Sequence, residues 1–128
     1  MSVYAYVNVI ENGAGELCKT EGIQRGSISF FAELHSLWVD AVFVEHSHED
    51  NIPFSQRFEG RRLGKILKPG DTVIAYSLDR VFCNSEDARD TLKKFSDQKI
   101  DLQLIDFGGS ISVPPFVGMV TRLLQQAA

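Results

Sequence analysis

The stretch GDTVIAYSLDR, residues 70–80, decides the fold of this chain. Residues 72–78 are nearly all apolar, as in a central strand of a parallel sheet that is covered on both faces. An adjacent acid and base, Asp79 and Arg80, follow this run in place of the usual Gly, Asn or Ser. Ligands of such sheets bind at the carboxyl ends of the strands, so we expect this strand end to belong to a functional site.

Strand and helix patterns alternate on both sides of this central strand. Apolar runs at 3–10, 41–45 and 100–106 predict three more strands. Helical periods at 28–38, from 57, from 85 and from 114 predict four helices. The alternating order predicts one α/β domain over residues 1–128, with three layers (α/β/α) and a mostly parallel sheet of about four to five strands.

The apolar spacing of each helix predicts the side chains that it buries. The last helix carries more apolar residues than a small sheet covers, which fits either a dimer interface or packing onto the sheet. Asn84 or Ser85 is expected to cap the third helix. In chain order, the predicted buried residues are Phe31, Leu34 and Trp38; Leu63, Ile66 and Leu67; Ala88, Leu92 and Phe95; and Val117, Val120, Leu123 and Leu124.

Composition narrows the class of protein. The chain has 128 residues, a formal net charge of −4 and a pI of about 5.3, which argues against a domain that holds DNA by bulk charge. Only two cysteines occur, Cys18 and Cys83, a number typical of a reduced cytoplasmic protein. No apolar run is long enough to cross a membrane, and the first residues do not resemble a signal peptide.

The Asp79–Arg80 pair is the first candidate for chemistry. An arginine at a strand end can donate two hydrogen bonds to a phosphate, and a neighbouring carboxylate can orient it or transfer a proton. The same pair can also be a surface salt bridge whose charges interact favourably with the N-terminus of a helix. Both alternatives stay open from the dipeptide alone.

The helix that starts near Arg57 carries a second candidate. Arg57, Arg61, Lys65 and Lys68 recur at a helical spacing, which predicts one basic stripe opposite the apolar face. Such a stripe can follow a phosphate backbone, or it can be an ordinary solvated helix face.

Residues 46–50 alternate histidine with acids, a pattern that can bind a metal ion. No further ligand follows at a useful spacing, so we predict no metal site. His35 is expected to be structural. The chain has no P-loop and no dinucleotide-binding glycine motif, and it lacks the hydrolase and thioredoxin motifs GxSxG and CxxC, so we predict no cofactor.

Taken together, these motifs resemble the N-terminal catalytic domain of the serine recombinases, the resolvase/invertase family. That family opens with a Tyr-Ala-Arg-Val-Ser run on its first strand, and here residues 4–8 read Tyr-Ala-Tyr-Val-Asn. Arg57, the Gly70 and Asp71 turn, the central strand and the Leu-Asp-Arg segment at 78–80 follow at family-like spacings. The resemblance covers nearly the whole chain.

The resemblance implies a site and its partners. In the family a serine attacks a DNA phosphodiester, several arginines hold the phosphate, and the aspartate of the Asp-Arg pair assists proton transfer. It therefore implies phosphate contact for Arg57 and Arg80 and an orienting or acid role for Asp79. Arg61 and Lys65 are predicted as further substrate contacts from the basic stripe alone. The long last helix makes the family's dimer, and a DNA-reading helix-turn-helix follows it, which residues 1–128 do not include.

Three positions depart from the family pattern. Asn8 stands at the position of the serine nucleophile, Tyr6 at that of an arginine two residues earlier, and Cys83 at that of the second arginine of the Asp-Arg segment. A carboxamide is not a usable nucleophile toward a phosphodiester, and each lost electrostatic donor lowers a rate by about 10²–10³. A thiolate at Cys83 is a poor substitute nucleophile. We therefore expect a degenerate site that does not cleave DNA.

The predicted function is a recombinase-like domain in DNA recombination that acts by binding or regulation. Its expected partners are DNA, contacted weakly or indirectly by this chain, and a second copy or an active recombinase; no membrane is expected. One alternative is an active site-specific recombinase with rearranged chemistry. The other is a protein-interaction module of the same fold without a DNA role.

Overall fold

The computed structural model describes residues 1–10, 21–47 and 52–111. The predictions for Cys18, for residues 48–50 and for the last helix lie outside these described residues. The elements in chain order are β1 (Val3–Ile10), α1 (Glu21–Leu34), β2 (Ala41–Ser47), a 3₁₀ turn (Phe54–Gln56), α2 (Phe58–Ile66), β3 (Thr72–Ala75), α3 (Leu78–Val81), α4 (Ser85–Asp97), β4 (Asp101–Leu104), a second 3₁₀ turn (Ile105–Phe107) and β5 (Gly109–Ser110).

The sheet has five strands in the order β2-β1-β3-β4-β5, and every pairing is parallel except that of β5 with β4. β1 lies between β2 and β3, and Tyr4 pairs with Ala41 of β2 and with Val73 of β3. The strand order reverses between β1 and β3. In doubly wound sheets the crevice for ligands opens at such a reversal, beyond the carboxyl ends of the two strands.

Helices cover both faces of the sheet. Side chains alternate along β1, so Tyr6 joins one core cluster while Ala5 and Val7 join the other. The first cluster packs against Leu63 of α2 and against Leu92 and Phe95 of α4; the second packs against Ile28, Phe31 and Ala32 of α1. The predicted three-layer architecture with a mostly parallel sheet is confirmed.

The first helix differs from its prediction. It runs from Glu21 to Leu34 and not over 28–38, and Leu34 and Trp38 are 67% and 82% exposed. Ser36 takes a left-handed φ of 56°, and Leu37 N bonds back to Ala32 O at 2.8 Å, which closes the helix in a Schellman motif. Trp38 therefore falls outside the helical period, and Phe31 alone of the predicted trio is buried.

The central strand is shorter than its apolar run. β3 ends at Ala75, where its pairing with β1 and β4 also ends, and residues 78–81 form the one-turn helix α3. Asp79 and Arg80 thus lie on a helical turn and not at the strand end itself. A short apolar run does not separate a strand from a buried helical turn, which is why the sequence pattern overextended the strand.

The other two described helices follow their predictions more closely. In α4 the Asn84 side chain accepts a hydrogen bond from Asp87 N at 2.8 Å, which confirms the predicted cap. Ala88, Leu92 and Phe95 are all buried, as expected. Of the residues predicted to be buried around α2, only Leu63 is fully buried, whereas Ile66 is 42% exposed. Within the described residues, no helix is both long and apolar enough to cross a membrane.

Candidate functional site

The candidate site lies at the reversal of strand order between β1 and β3. Asn8 sits near the carboxyl end of β1, and Asp79 and Arg80 sit on α3, directly beyond the end of β3. The fold therefore brings together three of the residues that the sequence pattern selected. Two of them, Asn8 and Arg80, are only 2% and 1% exposed.

Asn8 is held on both its backbone and its side chain. Gln24 of α1 accepts from Asn8 N at 3.2 Å and donates to Asn8 O at 2.8 Å, in the manner of an added strand partner. The Asn8 side-chain nitrogen Nδ2 donates to the backbone carbonyl of Arg80 at 3.2 Å. Asn8 thus connects β1, α1 and α3, and its amide nitrogen acts as a structural donor.

Gln24 was missed by sequence reasoning. It is fully buried on the same helix face as Ile28 and Phe31, at helical spacing from both. A polar side chain inside an apolar stripe needs a hydrogen-bond partner, and that signal was present in the sequence.

Asp79 and Arg80 are adjacent in sequence but differ in environment. Asp79 is exposed, and its carboxylate accepts a short hydrogen bond from the Ser77 hydroxyl. The Arg80 side chain is buried, and burial lowers the pKa of its guanidinium. An arginine remains protonated in proteins, so Arg80 places a buried positive charge inside the domain.

Arg57 does not lie on the predicted basic stripe. It caps α2 in an extended conformation and is 6% exposed. Its guanidinium donates from Nε to Ile52 O at 2.9 Å and from one terminal nitrogen to Val81 O at 2.8 Å and Arg80 O at 3.2 Å. Arg57 therefore fastens the start of α2 to the end of α3, and the prediction that it shares a solvated stripe is wrong.

Tyr6 links Arg57 to Glu45 in a buried series of hydrogen bonds. Its hydroxyl accepts from Arg57 at 3.2 Å and donates to a carboxylate oxygen of Glu45 at 3.3 Å. Glu45 in turn accepts from the backbone N–H groups of Glu59 (3.0 Å) and Gly60 (3.1 Å), in the first turn of α2. Burial raises the pKa of Tyr6 strongly, against the lowering effect of Arg57, so the phenol stays neutral.

Cys83 is half-buried beyond α3. Burial raises the pKa of its thiol, and the neighbouring carboxylate of Asp87 raises it further. Asp87 also accepts a hydrogen bond from the backbone N–H of Cys83 at 3.0 Å. The thiol is therefore kept protonated, which is the opposite of what a nucleophilic cysteine needs.

Arg61 and Lys65 lie apart from the buried hydrogen bonds of Tyr6, Glu45 and Arg57. Both are exposed on α2, and Lys68 is exposed just after the helix. Arg61 and Lys65 border a groove between α2 and α4 that is lined by none of Asn8, Arg57 and Arg80. Of the four predicted stripe residues, these three remain available at the surface.

Comparison with known proteins was made by sequence and by structure. No protein-family model matches the chain, and no curated protein is significantly similar to it in sequence. The crystal structure of the N-terminal catalytic domain of TP901-1 integrase matches it with a TM-score of 0.73 and 18% identity, over 99% of this chain and 93% of that one. A resolvase family site-specific recombinase from Streptococcus pneumoniae matches with a TM-score of 0.71 and 16% identity, over 99% and 87% of the two chains.

At these identities the two matches show the fold alone. The chain has the fold of a serine-recombinase catalytic domain, as the resemblance of its motifs predicted.

Proposed function

We propose that this chain is a serine-recombinase-like domain that serves DNA recombination by binding or regulation and does not cleave DNA strands. The observation that carries this proposal is the environment of Asn8. By the resemblance, Asn8 takes the position of the nucleophilic serine, and here its amide is buried and donates to Arg80 O.

Cleavage of a phosphodiester by this family requires a hydroxyl that can be deprotonated and that can reach phosphorus in line with the leaving oxygen. Asn8 supplies a carboxamide, and its side chain is almost closed to solvent. Tyr6 supplies a neutral phenol that is engaged with Glu45 and Arg57, where the family has a cation. These features support loss of the chemical step with retention of the fold.

The arginines keep part of a phosphate-handling arrangement in this proposal. Asn8 and Arg57 both donate to the backbone carbonyl of Arg80, and Arg57 also donates to that of Val81, so its guanidinium is engaged with protein carbonyls. Contact of a phosphate with Arg57 would require those hydrogen bonds to break. DNA contact by this chain is therefore weak and rests mainly on Arg61 and Lys65, which are exposed.

The proposed partner is a second copy of the chain or an active recombinase. The predicted contact is the apolar segment at 116–124, which lies outside the described residues. Light scattering over a range of concentrations tests this part, and a mass that stays monomeric at every concentration contradicts it.

The decisive experiment is a search for a covalent protein–DNA adduct. The full chain is incubated with supercoiled plasmid, denatured and separated by electrophoresis, with an active family member as positive control. We expect no adduct and no relaxed plasmid. An adduct formed by the unaltered chain refutes the proposal and supports rearranged chemistry. Gain of cleavage by a Tyr6→Arg, Asn8→Ser, Cys83→Arg triple variant would confirm the ancestral site.

A second candidate function is a protein-interaction module without a DNA role. The net charge of −4 favours it, as do the exposed apolar side chains Phe30 (65%), Leu34 (67%) and Trp38 (82%). Salt-dependent DNA binding separates the two functions, because contacts with phosphates weaken steeply as salt rises. A chain that binds no duplex DNA at low salt supports this second candidate.

A further inference from the structure

A groove between α2 and α4 has a composition unlike the rest of the surface. It has a volume of about 170 Å³, its lining is mainly apolar, and the lining residues include Phe54, Leu67 and Phe95. Cavities of about 150 Å³ are large enough for one aromatic ring. The groove is therefore the size of a single large apolar side chain.

The charged residues that line this groove are all basic. Arg61 and Lys65 border it from α2, and Lys94 borders it from α4. None of its lining residues is acidic, although the whole chain has 17 acidic and 13 basic residues. Charge complementarity at such a border favours carboxylates on a partner.

The depth of the groove depends on two glycines of α2. A Cβ at Gly60 would lie 2.1 Å from the carbonyl oxygen of Phe54, so the helix contacts this backbone directly. Gly64, one turn later, also lines the groove, and among the described residues a Cβ there would meet no atom within 4 Å. The space over Gly64 is open, and a side chain at this position would fill it.

We infer that this groove binds an acidic protein segment through one apolar anchor side chain, with the segment's carboxylates beside Arg61, Lys65 and Lys94. A buried anchor with charges around it is the usual arrangement of an energetically important interface contact. A DNA backbone is contacted through its phosphates and sugars and has no need of an apolar groove. The groove shares no residue with the Asn8 region, but it includes Arg61 and Lys65, on which the proposed DNA contact rests, so the acidic segment and DNA would compete for these two cations.

The groove continues toward the start of α4 with the opposite charge. A neighbouring depression shares Ser55, Thr91 and Lys94 with it and is bordered by Glu86 and Asp90. The bound segment therefore has a defined direction, with its carboxylates toward α2 and any basic residue toward Glu86 and Asp90.

The test uses a fluorescein-labelled peptide that has one phenylalanine flanked by glutamates, titrated with the full chain at low salt. We expect saturable binding that weakens as salt rises. Replacement of the peptide's phenylalanine by serine, or of its glutamates by lysine, should lower the affinity tenfold or more. Equal binding of either replacement peptide overturns the inference.

Gly64→Leu is the decisive variant of the chain, because leucine fills the groove and also favours the helix more than glycine does. We expect it to fold and to lose at least tenfold in peptide affinity. Gly22→Leu is the matched control on α1, where a Cβ also meets nothing within 4 Å, and it should bind as the unaltered chain does. Arg61→Gln and Lys65→Gln should each weaken binding about threefold at low salt.

Two outcomes contradict the inference. The first is a folded Gly64→Leu variant, verified by circular dichroism, that binds the peptide as tightly as the unaltered chain. The second is a labelled DNA duplex that binds through Arg61 and Lys65 while the phenylalanine of the peptide proves unnecessary, which assigns these cations to DNA alone. The outcome of the covalent-adduct experiment does not change the peptide-binding result, so the two proposals are tested separately.

Discussion

The side-chain amide of Asn8 donates a hydrogen bond to the backbone carbonyl of Arg80 across 3.2 Å, although the two residues lie 72 positions apart in sequence. Arg57 donates to the same carbonyl, also at 3.2 Å. One backbone oxygen thus joins β1 and the start of α2 to the turn that follows β3. The place where the family's nucleophile is expected is therefore occupied by a structural contact.

Substitutions at Asn8 should lower stability when the new side chain cannot donate a hydrogen bond to the Arg80 carbonyl. Asn8→Ala removes one donor to a buried carbonyl and should lower the free energy of unfolding by about 1–2 kcal/mol. Asn8→Asp should cost about 3 kcal/mol at pH 7, because it places a carboxylate against that carbonyl in a buried site. Urea denaturation at pH 7 measures both values. Equal stability of the two variants would show that the amide nitrogen is not the donor.

Tyr6→Phe tests the buried polar chain from Glu45 to Arg57. The ring remains and can keep its packing against Phe54, but the hydroxyl between the carboxylate and the guanidinium is lost. The free energy of unfolding should fall by about 1–3 kcal/mol, because two buried charged groups each lose a partner. Tyr4→Phe is the control: it keeps the ring that packs against Phe43, and its stability should change by less than about 0.5 kcal/mol.

Gly60→Ala and Gly64→Ala, both on α2, should change the stability of the protein in opposite directions. A Cβ at residue 60 meets the Phe54 carbonyl oxygen at 2.1 Å, so the backbone of α2 must move and stability should fall by about 2–3 kcal/mol. At residue 64 the Cβ meets nothing within 4 Å, and alanine should raise stability by about 0.5–1 kcal/mol through helix propensity. Thermal unfolding gives both shifts, and a loss of stability in Gly64→Ala would contradict the open groove.

The pKa of Asp71 should make the stability of the protein depend on pH. Burial raises the pKa of its carboxyl, but backbone hydrogen bonds from Ser2 and Lys68, at 2.8 and 2.9 Å, outweigh this effect and the pKa is lowered overall. A lowered folded-state pKa adds stability above the unfolded-state pKa and loses it as pH falls through the folded-state value. The stabilisation should be complete at neutral pH and be lost progressively as pH falls below the unfolded-state pKa of an aspartate, about 4.

The Asp71→Asn variant isolates this contribution. It should be less stable than the unaltered chain at pH 7, and the difference should shrink as the carboxyl becomes protonated. Urea denaturation at several pH values compares the two proteins. A difference in stability that stays constant from pH 7 to pH 3 would rule out the assigned role of the Asp71 hydrogen bonds.

Sequence patterns determined those features of this protein that depend on neighbouring residues. The apolar run of β1 predicted a buried strand, Asn84 predicted a helix cap, and the spacing of Leu92 and Phe95 predicted the buried face of α4. Each of these depends on backbone geometry within one or two turns, which the order of residues encodes directly. The alternation of such elements was enough to predict the layers and the mostly parallel sheet.

Only the tertiary structure decided which polar side chains turn inward. Arg57 has the same helical spacing to Arg61 that Arg61 has to Lys65, yet it is buried. Its hydrogen bonds are accepted by the nearby Ile52 carbonyl, by Tyr6 and by the distant carbonyls of Arg80 and Val81. Asp79 and Arg80 are neighbours, but one is exposed and the other is buried. For Arg57 the physical reason is that a buried polar group needs partners. Tyr6, Arg80 and Val81 are far away in sequence, and only the folded chain brings them within hydrogen-bond distance of it.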